Sequence, residues 1–328
     1  MNNSIIPVFI PHIGCPMNCV FCDQRRISGS LLPATADSVR RDVSAALEKL
    51  PAGSRPQIAF YGGSFTAIRR ELMEGYLQTA VPFVESGLCD SIRLSTRPDA
   101  IDEDILETLR KYHVKTIELG AQSMCDRVLA ASGRGHTAFD TSKASGLIKE
   151  YGFELILQMM VGLPLSEKED ELYTAEALCR LRPDGVRIYP TCVIDKTPLY
   201  DMYLAGRYKA LSVDEAVDIC ADLLDIFEKY GVYIVRLGLN PTEELSNGGV
   251  KAGAYHPALG EMVYSRRFLK KVLPLVPKEP YDILVPPKSL SVAIGQKRCN
   301  LSYLKIISPL CSIKGEEGLE LPFKISIR

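Results

Sequence analysis

Short apolar runs alternate with longer amphipathic segments along most of the chain. The runs at residues 5–10, 57–61, 91–94, 116–119, 154–160, 185–189 and 232–237 are short and often β-branched, and predict strands. Between them, 35–50, 69–86, 102–112, 142–151, 167–181 and 212–230 carry apolar residues at three- and four-residue spacing and predict helices. Ser212 with Glu215 three residues on marks a capping box at the start of the last of these. Strand–helix alternation repeated this often means parallel β/α units, either an open doubly wound sheet or a full or partial barrel. In both, functional groups gather where strands end and loops begin. From about residue 238 the pattern breaks into loop-like stretches, a helix over 260–273, a Pro-rich stretch over 274–287 and a weakly alternating end that suggests a small β element.

The chain has 328 residues, of which 46% are hydrophobic and 24% charged. That size supports a large core without staples. The net charge of −1 argues against coating nucleic acid through bulk charge. The charge is unevenly placed, with 12 basic and 5 acidic residues from position 262 onward. This basic end permits phosphate contacts or is simply a solvated face. No signal peptide or membrane-length apolar segment is read, so a cytoplasmic protein is expected, its ten cysteines being thiols or ligands rather than disulfides.

The strand ends carry suggestive chemistry. His12-Ile-Gly-Cys15 follows the first, Gly62-Gly63-Ser64-Phe65-Thr66 the second, Ser95-Thr96-Arg97-Pro98-Asp99 the third and Gly120-Ala-Gln122-Ser123 the fourth. Gln158 lies on the fifth, which runs into Gly162-Leu-Pro164, and Tyr189-Pro-Thr ends the sixth. Cys15, Cys19 and Cys22 stand in a C-x3-C-x2-C arrangement. Three soft thiolates this close can wrap one metal centre, and they select zinc, copper(I) or an iron–sulfur cluster. With His12 they make a closed zinc set. Alone, they leave one iron of a cluster open.

C-x3-C-x2-C after the first strand, with Phe21 before the third Cys, resembles the radical S-adenosylmethionine (SAM) superfamily. Tyr61-Gly-Gly-Ser-Phe-Thr, Ser95-Thr-Arg-Pro-Asp, Ile117-Glu-Leu-Gly-Ala-Gln-Ser, Arg134-Gly-His-Thr, Gly162-Leu-Pro, Arg187-Ile-Tyr-Pro-Thr, Gly206-Arg-Tyr-Lys-Ala-Leu and Tyr255-His-Pro-Ala-Leu-Gly-Glu resemble the radical domain of the Elongator catalytic subunit. The resemblance runs from about residue 5 to 265. It implies an α/β fold, a partial (β/α)6-type TIM barrel over 1–238 with a small basic C-terminal appendage over 239–328 that contacts substrate. It also implies a [4Fe–4S] cluster on Cys15, Cys19 and Cys22, SAM on the open iron, a 5′-deoxyadenosyl radical, and an electron donor such as flavodoxin or ferredoxin. About sixty residues follow the shared region, too few for the acetyltransferase domain of the Elongator subunit.

Roles follow from position and chemistry. Gly62 and Gly63 allow close backbone approach to the methionyl part of SAM, and Ser64 stands where an acidic residue is usual. Arg97 suits the SAM carboxylate, or else pairs with Asp99 or Glu118. Ser95 and Thr96 suit the methionyl or ribose part, and Gln122 and Gln158 the ribose hydroxyls. Phe21 and Tyr189 are expected around the adenine. Glu118 is expected to pair with a cation; His136 and His256 either meet substrate or are structural. Cys89, Cys125, Cys179 and Cys220 read as core, and Cys192 as a weak candidate for radical quenching. RNA is the expected substrate, with Arg266, Arg267, Lys297 and Arg298 as phosphate contacts. The alternatives are a peptide, a porphyrin precursor or a small metabolite as substrate, or a zinc-stabilised barrel that only binds RNA or a partner.

Overall fold

A computed structural model describes residues 4–10, 19–23, 34–240 and 245–328. The expected alternation is present as β1 (Ile5–Phe9), α1 (Ala36–Leu47), β2 (Gln57–Tyr61), α2 (Arg70–Glu85), β3 (Ser91–Thr96), α3 (Glu103–Lys111), β4 (Val114–Gln122), α4 (Asp126–Ala131), α5 (Ala138–Glu150), β5 (Glu154–Val161), α6 (Lys168–Arg180), β6 (Gly185–Pro190), β7 (Cys192–Ile194), α7 (Pro198–Leu204), α8 (Val213–Lys229) and β8 (Tyr233–Leu237). One seven-stranded sheet runs β1-β2-β3-β4-β5-β6-β8, every neighbour parallel. The order never reverses, as it would in a doubly wound sheet, so the sheet curls into a partial barrel with β1 and β8 as its free edges. Six β/α units plus a seventh strand build it.

Period-two alternation separates the two faces of each strand. Ile58 and Phe60, Ile92 and Leu94, Ile117 and Leu119, Leu155 and Leu157, and Val186 and Ile188 form the outer face, buried under the helices. The opposite residues face the lumen: Phe9, Tyr61, Arg93, Ser95, Glu118, Gly120, Gln158, Arg187 and Tyr189. Helix starts are fixed by side-chain caps: Thr35 on α1, Asp102 on α3, Thr137 on α5 and Ser212 on α8, the last with Glu215 in the expected reciprocal box.

Beyond the barrel, β9 (Val250–Gly253) pairs antiparallel with β7. Helix α9 (Leu259–Val272) joins two cores: Leu259 and Val263 pack in the barrel's, while Val272 and Phe268 pack in a second. That second core belongs to β10 (Tyr281–Val285), α10 (Leu290–Ile294), α11 (Cys299–Ile307), β11 (Ser312–Gly315) and β12 (Lys324–Ile327), whose strands form a three-stranded sheet around β10. The appendage is therefore mixed α/β, where the weak alternation predicted only a β element; the helices escape notice because each is short. No described helix is long and apolar enough to cross a membrane.

Candidate active site

The C-terminal ends of β2 to β6 converge on one end of the lumen, beside the segment that carries Cys19 and Cys22. Cys15 and His12 lie outside the described residues. The Val20 N–H donates to Ser132 O at 3.1 Å, the Val20 carbonyl accepts from Leu199 N at 2.8 Å, and Cys22 N–H donates back to Cys19 O at 3.0 Å. These bonds pin a tight turn against the ends of α4 and α7. Phe21 is buried with Val128, Met160, Leu163 and Leu199. It anchors this turn in apolar packing, in the same cluster against which Tyr189, the other residue expected around the adenine, is packed.

Cys19 is buried, and its Sγ accepts a hydrogen bond from Arg134 Nη1 at 3.4 Å. Arg134 is itself only 6% exposed. Its Nη2 donates to Gly120 O at 2.7 Å, its Nε has no partner, and among the described residues no carboxylate pairs with it. A buried guanidinium without a counter-charge is costly unless a negative group sits beside it. A metal-bound sulfur at Cys19 would be that group, because a ligating cysteine is a thiolate. The donor set thus fits a thiolate-held cluster.

Gly120 is the close-approach position of the site. A Cβ there would lie 2.9 Å from Gln122 Nε2 and 3.4 Å from Arg134 Nη2. Gln122 takes a left-handed backbone (φ 65°) next to a register shift in the β4–β5 ladder. Such strain in a non-glycine residue costs of order 1–3 kcal/mol and collects at functional sites. It turns the Gln122 side chain so that its Oε1 accepts from Gln158 Nε2 at 3.2 Å. The two glutamines expected from the sequence to take similar polar roles are therefore bonded to each other.

The other expected contacts divide. Gly62 has φ 94° and is half-buried with Gly63, leaving exposed backbone at the lumen's end. Ser95 faces the lumen with its Oγ 3.5 Å from Phe60 O, and Tyr189 accepts from Arg187 Nη1 at 3.1 Å. Ser64 is buried at the start of a 3-10 turn, and Thr96 shares a 2.6 Å hydroxyl bond with Thr66 on the outer side of the sheet. The Thr96 hydroxyl is turned away from the lumen that Ser95 faces, because a one-residue step along a strand reverses the face. Arg97 makes a bidentate pair with Asp99 (2.8 and 2.9 Å) and donates to Arg134 O at 2.6 Å. The Asp99 pairing, one of the alternatives read from the sequence, is formed, and Arg97 also holds the backbone of Arg134.

His136 is buried with Nε2 against Ala121 O at 3.2 Å. Burial, helped by Arg134, pushes its pKa down to about 4, so it is neutral at pH 7 and structural. His256 Nδ1 accepts from Ala258 N at 3.1 Å at the start of α9 and is likewise structural. Cys89, Cys179, Cys192 and Cys220 are buried, whereas Cys125 is half-buried with its thiol 3.5 Å from Asp170.

The Gly162-Leu-Pro loop after β5 is held by a buried acid. Glu171 on α6 accepts from Gly162 N at 2.8 Å and Ser166 Oγ at 2.7 Å, while Tyr208 donates to Gly162 O at 2.7 Å. Burial pushes the Glu171 carboxyl up to about 7, against those two hydrogen bonds, which lower it. A raised folded-state value means that stability is fully present below the ordinary value of 4.5 and is lost as pH rises toward 7. Glu171→Gln keeps the acceptor and removes the titration. Urea unfolding at pH 5 and pH 8 should show the variant losing less stability between them than wild type, by as much as about 3 kcal/mol. Equal losses in both proteins would contradict this.

Sequence reasoning missed the floor of the lumen. Glu118 pairs with Arg93 (2.9 Å) and Arg187 (2.7 Å), and accepts from Tyr61 Oη at 2.7 Å. The expectation that Glu118 pairs with a cation is met twice over. The alternation of Ile92-Arg93-Leu94 and of Val186-Arg187-Ile188 was the available signal that these arginines face the lumen of the curled sheet.

The expected phosphate contacts on α9 are corrected. Arg266 pairs with Asp214 and Asp218, Arg267 with Asp225 and Glu228, Lys270 with Asp218 and Asp222, and Lys271 with Asp225 and Glu228. These ions zip α9 onto the acidic face of α8. Lys297 and Arg298 are exposed, on left-handed backbone.

Comparison with known proteins decides the family. The profile of the Radical SAM superfamily matches residues 9–175, half of the chain, and that of the Radical_SAM C-terminal domain matches residues 183–269. The chain belongs to the radical SAM superfamily. It is an enzyme, and the cofactors of this radical SAM protein are a [4Fe–4S] cluster and SAM. A tRNA uridine(34) acetyltransferase of Methanocaldococcus jannaschii is 32% identical over 179 residues, 54% of this chain and 32% of that protein. Elongator complex protein 3 of Bos taurus is 28% identical over 226 residues, 62% of this chain and 40% of that one. The chain thus spans about a third to two-fifths of the length of these relatives. Among solved structures, archaeal Methanocaldococcus infernus Elp3 with an N-terminal deletion superposes with a TM-score of 0.67 at 22% identity, covering 82% of this chain and 63% of that one, which supports the barrel fold.

Proposed function

We propose that this radical SAM enzyme modifies tRNA by abstracting a hydrogen atom from a nucleoside seated at the C-terminal end of the lumen. The observation that carries the radical chemistry is Arg134, a buried guanidinium with no carboxylate partner among the described residues, aimed at Cys19. The tRNA assignment is supported by the relatives whose names place them on tRNA uridine 34.

In this reading Cys15, Cys19 and Cys22 hold the cluster. When bound and reduced by a one-electron donor such as flavodoxin or ferredoxin, cluster and SAM supply a 5′-deoxyadenosyl radical. Arg134 stabilises the thiolate charge at Cys19. Gly62, Gly63 and Ser95 offer backbone and hydroxyl groups to the methionyl part of SAM, and the bonded pair Gln122–Gln158 meets its ribose. Tyr189, at the lumen's end, is the candidate for the adenine. Buried Phe21, Met160 and Leu163 keep water from the cysteine turn. The exposed Lys297 and Arg298 on the appendage contact RNA phosphates, and the enzyme works in the cytoplasm.

The test is anaerobic incubation of the reconstituted enzyme with SAM, reductant and tRNA from cells lacking this chain. Stimulated 5′-deoxyadenosine release together with a nucleoside of new mass is expected. Stimulation by an RNase-treated extract but not by tRNA would assign a peptide, porphyrin precursor or small metabolite instead.

A further inference from the structure

Among the described residues the lumen floor carries more positive than negative charge. Arg93, Glu118 and Arg187 are buried together, two guanidinium groups on one carboxylate. Their remaining partners among the described residues are neutral. Arg93 Nη1 donates to Gln57 Oε1 at 3.1 Å, and Arg187 donates to Tyr189 Oη at 3.1 Å and Tyr61 Oη at 3.0 Å. Tyr61 keeps its proton, since burial and then Glu118 raise its pKa above the ordinary value. Buried Arg93 Nε makes no hydrogen bond among the described residues, whereas Arg187 Nε is the atom 2.7 Å from Glu118 Oε2. The next carboxylate along the lumen, Glu154, is bonded to Thr116 and faces Lys115 at the opposite end of the barrel.

An uncompensated buried charge is expensive, and a structural ion pair would not need a second arginine. Among the described residues, those above the triad on the lumen side are not fully covered. Phe9, Tyr61, Ser95, Gly120, Gln158 and Tyr189 are all only half-buried. The Glu118 level lies two residues below Gly120, about 6–7 Å down the strand. Gly120 O in turn holds Arg134, and Arg134 holds Cys19. The triad thus sits two residues down β4 from the Gly120 level that holds Arg134 against the cysteine turn.

We infer that Arg93 and Arg187, held apart by Glu118, form a subsite for a carboxylate group on the substrate or co-substrate. A guanidinium fork matches a carboxylate in shape. The net charge of one fits a monoanion better than a dianionic phosphate. The site would anchor the acid end of a short carbon chain and leave its other end directed at the cysteine turn. Its part in catalysis rests on the proposed radical chemistry, but its occupation does not.

The probe is acetate, added to the full-length, anaerobically reconstituted enzyme at constant ionic strength, with chloride and inorganic phosphate as comparisons and thermal unfolding as readout. Acetate should stabilise the wild type saturably where chloride does not. Arg187→Gln and Arg93→Gln should each weaken acetate binding at least tenfold. Glu118→Gln should strengthen it at least tenfold, a gain that misfolding cannot mimic. Acetate no better than chloride in both wild type and Glu118→Gln would overturn the inference. So would full acetate affinity in both arginine variants, or a response to phosphate alone. Acetate behaving as expected in a protein that forms no 5′-deoxyadenosine would sink the radical chemistry and leave the subsite standing.

Discussion

Cys19→Ala is expected to abolish 5′-deoxyadenosine formation, a loss of at least about three orders of magnitude, or more than 4 kcal/mol of barrier. The buried sulfur and its guanidinium donor belong to one unit. Deleting the sulfur removes a cluster ligand and leaves Arg134 with no negative partner. Iron and sulfide per chain, measured after anaerobic reconstitution, should fall with activity. Arg134→Met separates the two roles. It should keep the cluster, lower its reduction potential because a donor to sulfur is lost, and reduce cluster affinity or activity by about 10–100-fold. A Cys19→Ala protein with full iron content and activity would contradict the assignment, as would an Arg134→Met protein of unchanged potential.

Glu118→Gln is expected to be the most damaging substitution away from the cysteines. Glu118 is only 4% exposed and serves two arginines and Tyr61. Removing one partner of a buried ion group strands the others, at a cost of about 3–5 kcal/mol. Urea unfolding in chloride buffer should show that loss. Adding acetate should recover part of it, since an external carboxylate then replaces the missing charge. Replacing Arg93, Glu118 and Arg187 together by Met, Leu and Met should be far milder than Glu118→Gln alone, because no charge is left stranded. A Glu118→Gln loss below about 1 kcal/mol would mean that the triad is well solvated and not the buried unit described.

Much of the barrel was legible because its strands are short apolar runs and its helices carry side-chain caps. The run at 57–61 matches β2, and the Ser212–Glu215 box opens α8 as expected. Helix α5 starts at Ala138, four residues before the periodicity suggested. The Thr137–Asp140 capping box was the available signal, but Phe139 is 74% exposed and blurs the apolar stripe. Strand β10 was hidden between Pro280 and Pro286, though Tyr281, Ile283 and Val285 alternate inward. At the site, residue types marked the strand ends but not the direction of each side chain. Ser95 and Thr96 are adjacent and face opposite sides of the sheet, and only register decides which one meets the lumen. Arg134 lay within a recognised motif, yet that no described carboxylate pairs with it is a three-dimensional fact. The charge of the last segment misled for a related reason, because α9's basic residues meet acidic ones some forty to fifty positions earlier in the chain.

The central claim is that Cys15, Cys19 and Cys22 hold a four-iron cluster whose open iron takes SAM. Low-temperature electron paramagnetic resonance of the reduced, anaerobically reconstituted protein, with and without SAM, tests it most directly. A reduced [4Fe–4S] signal that changes shape when SAM is added is predicted. A colourless protein with one zinc per chain and no sulfide, or a cluster signal indifferent to SAM, would contradict it.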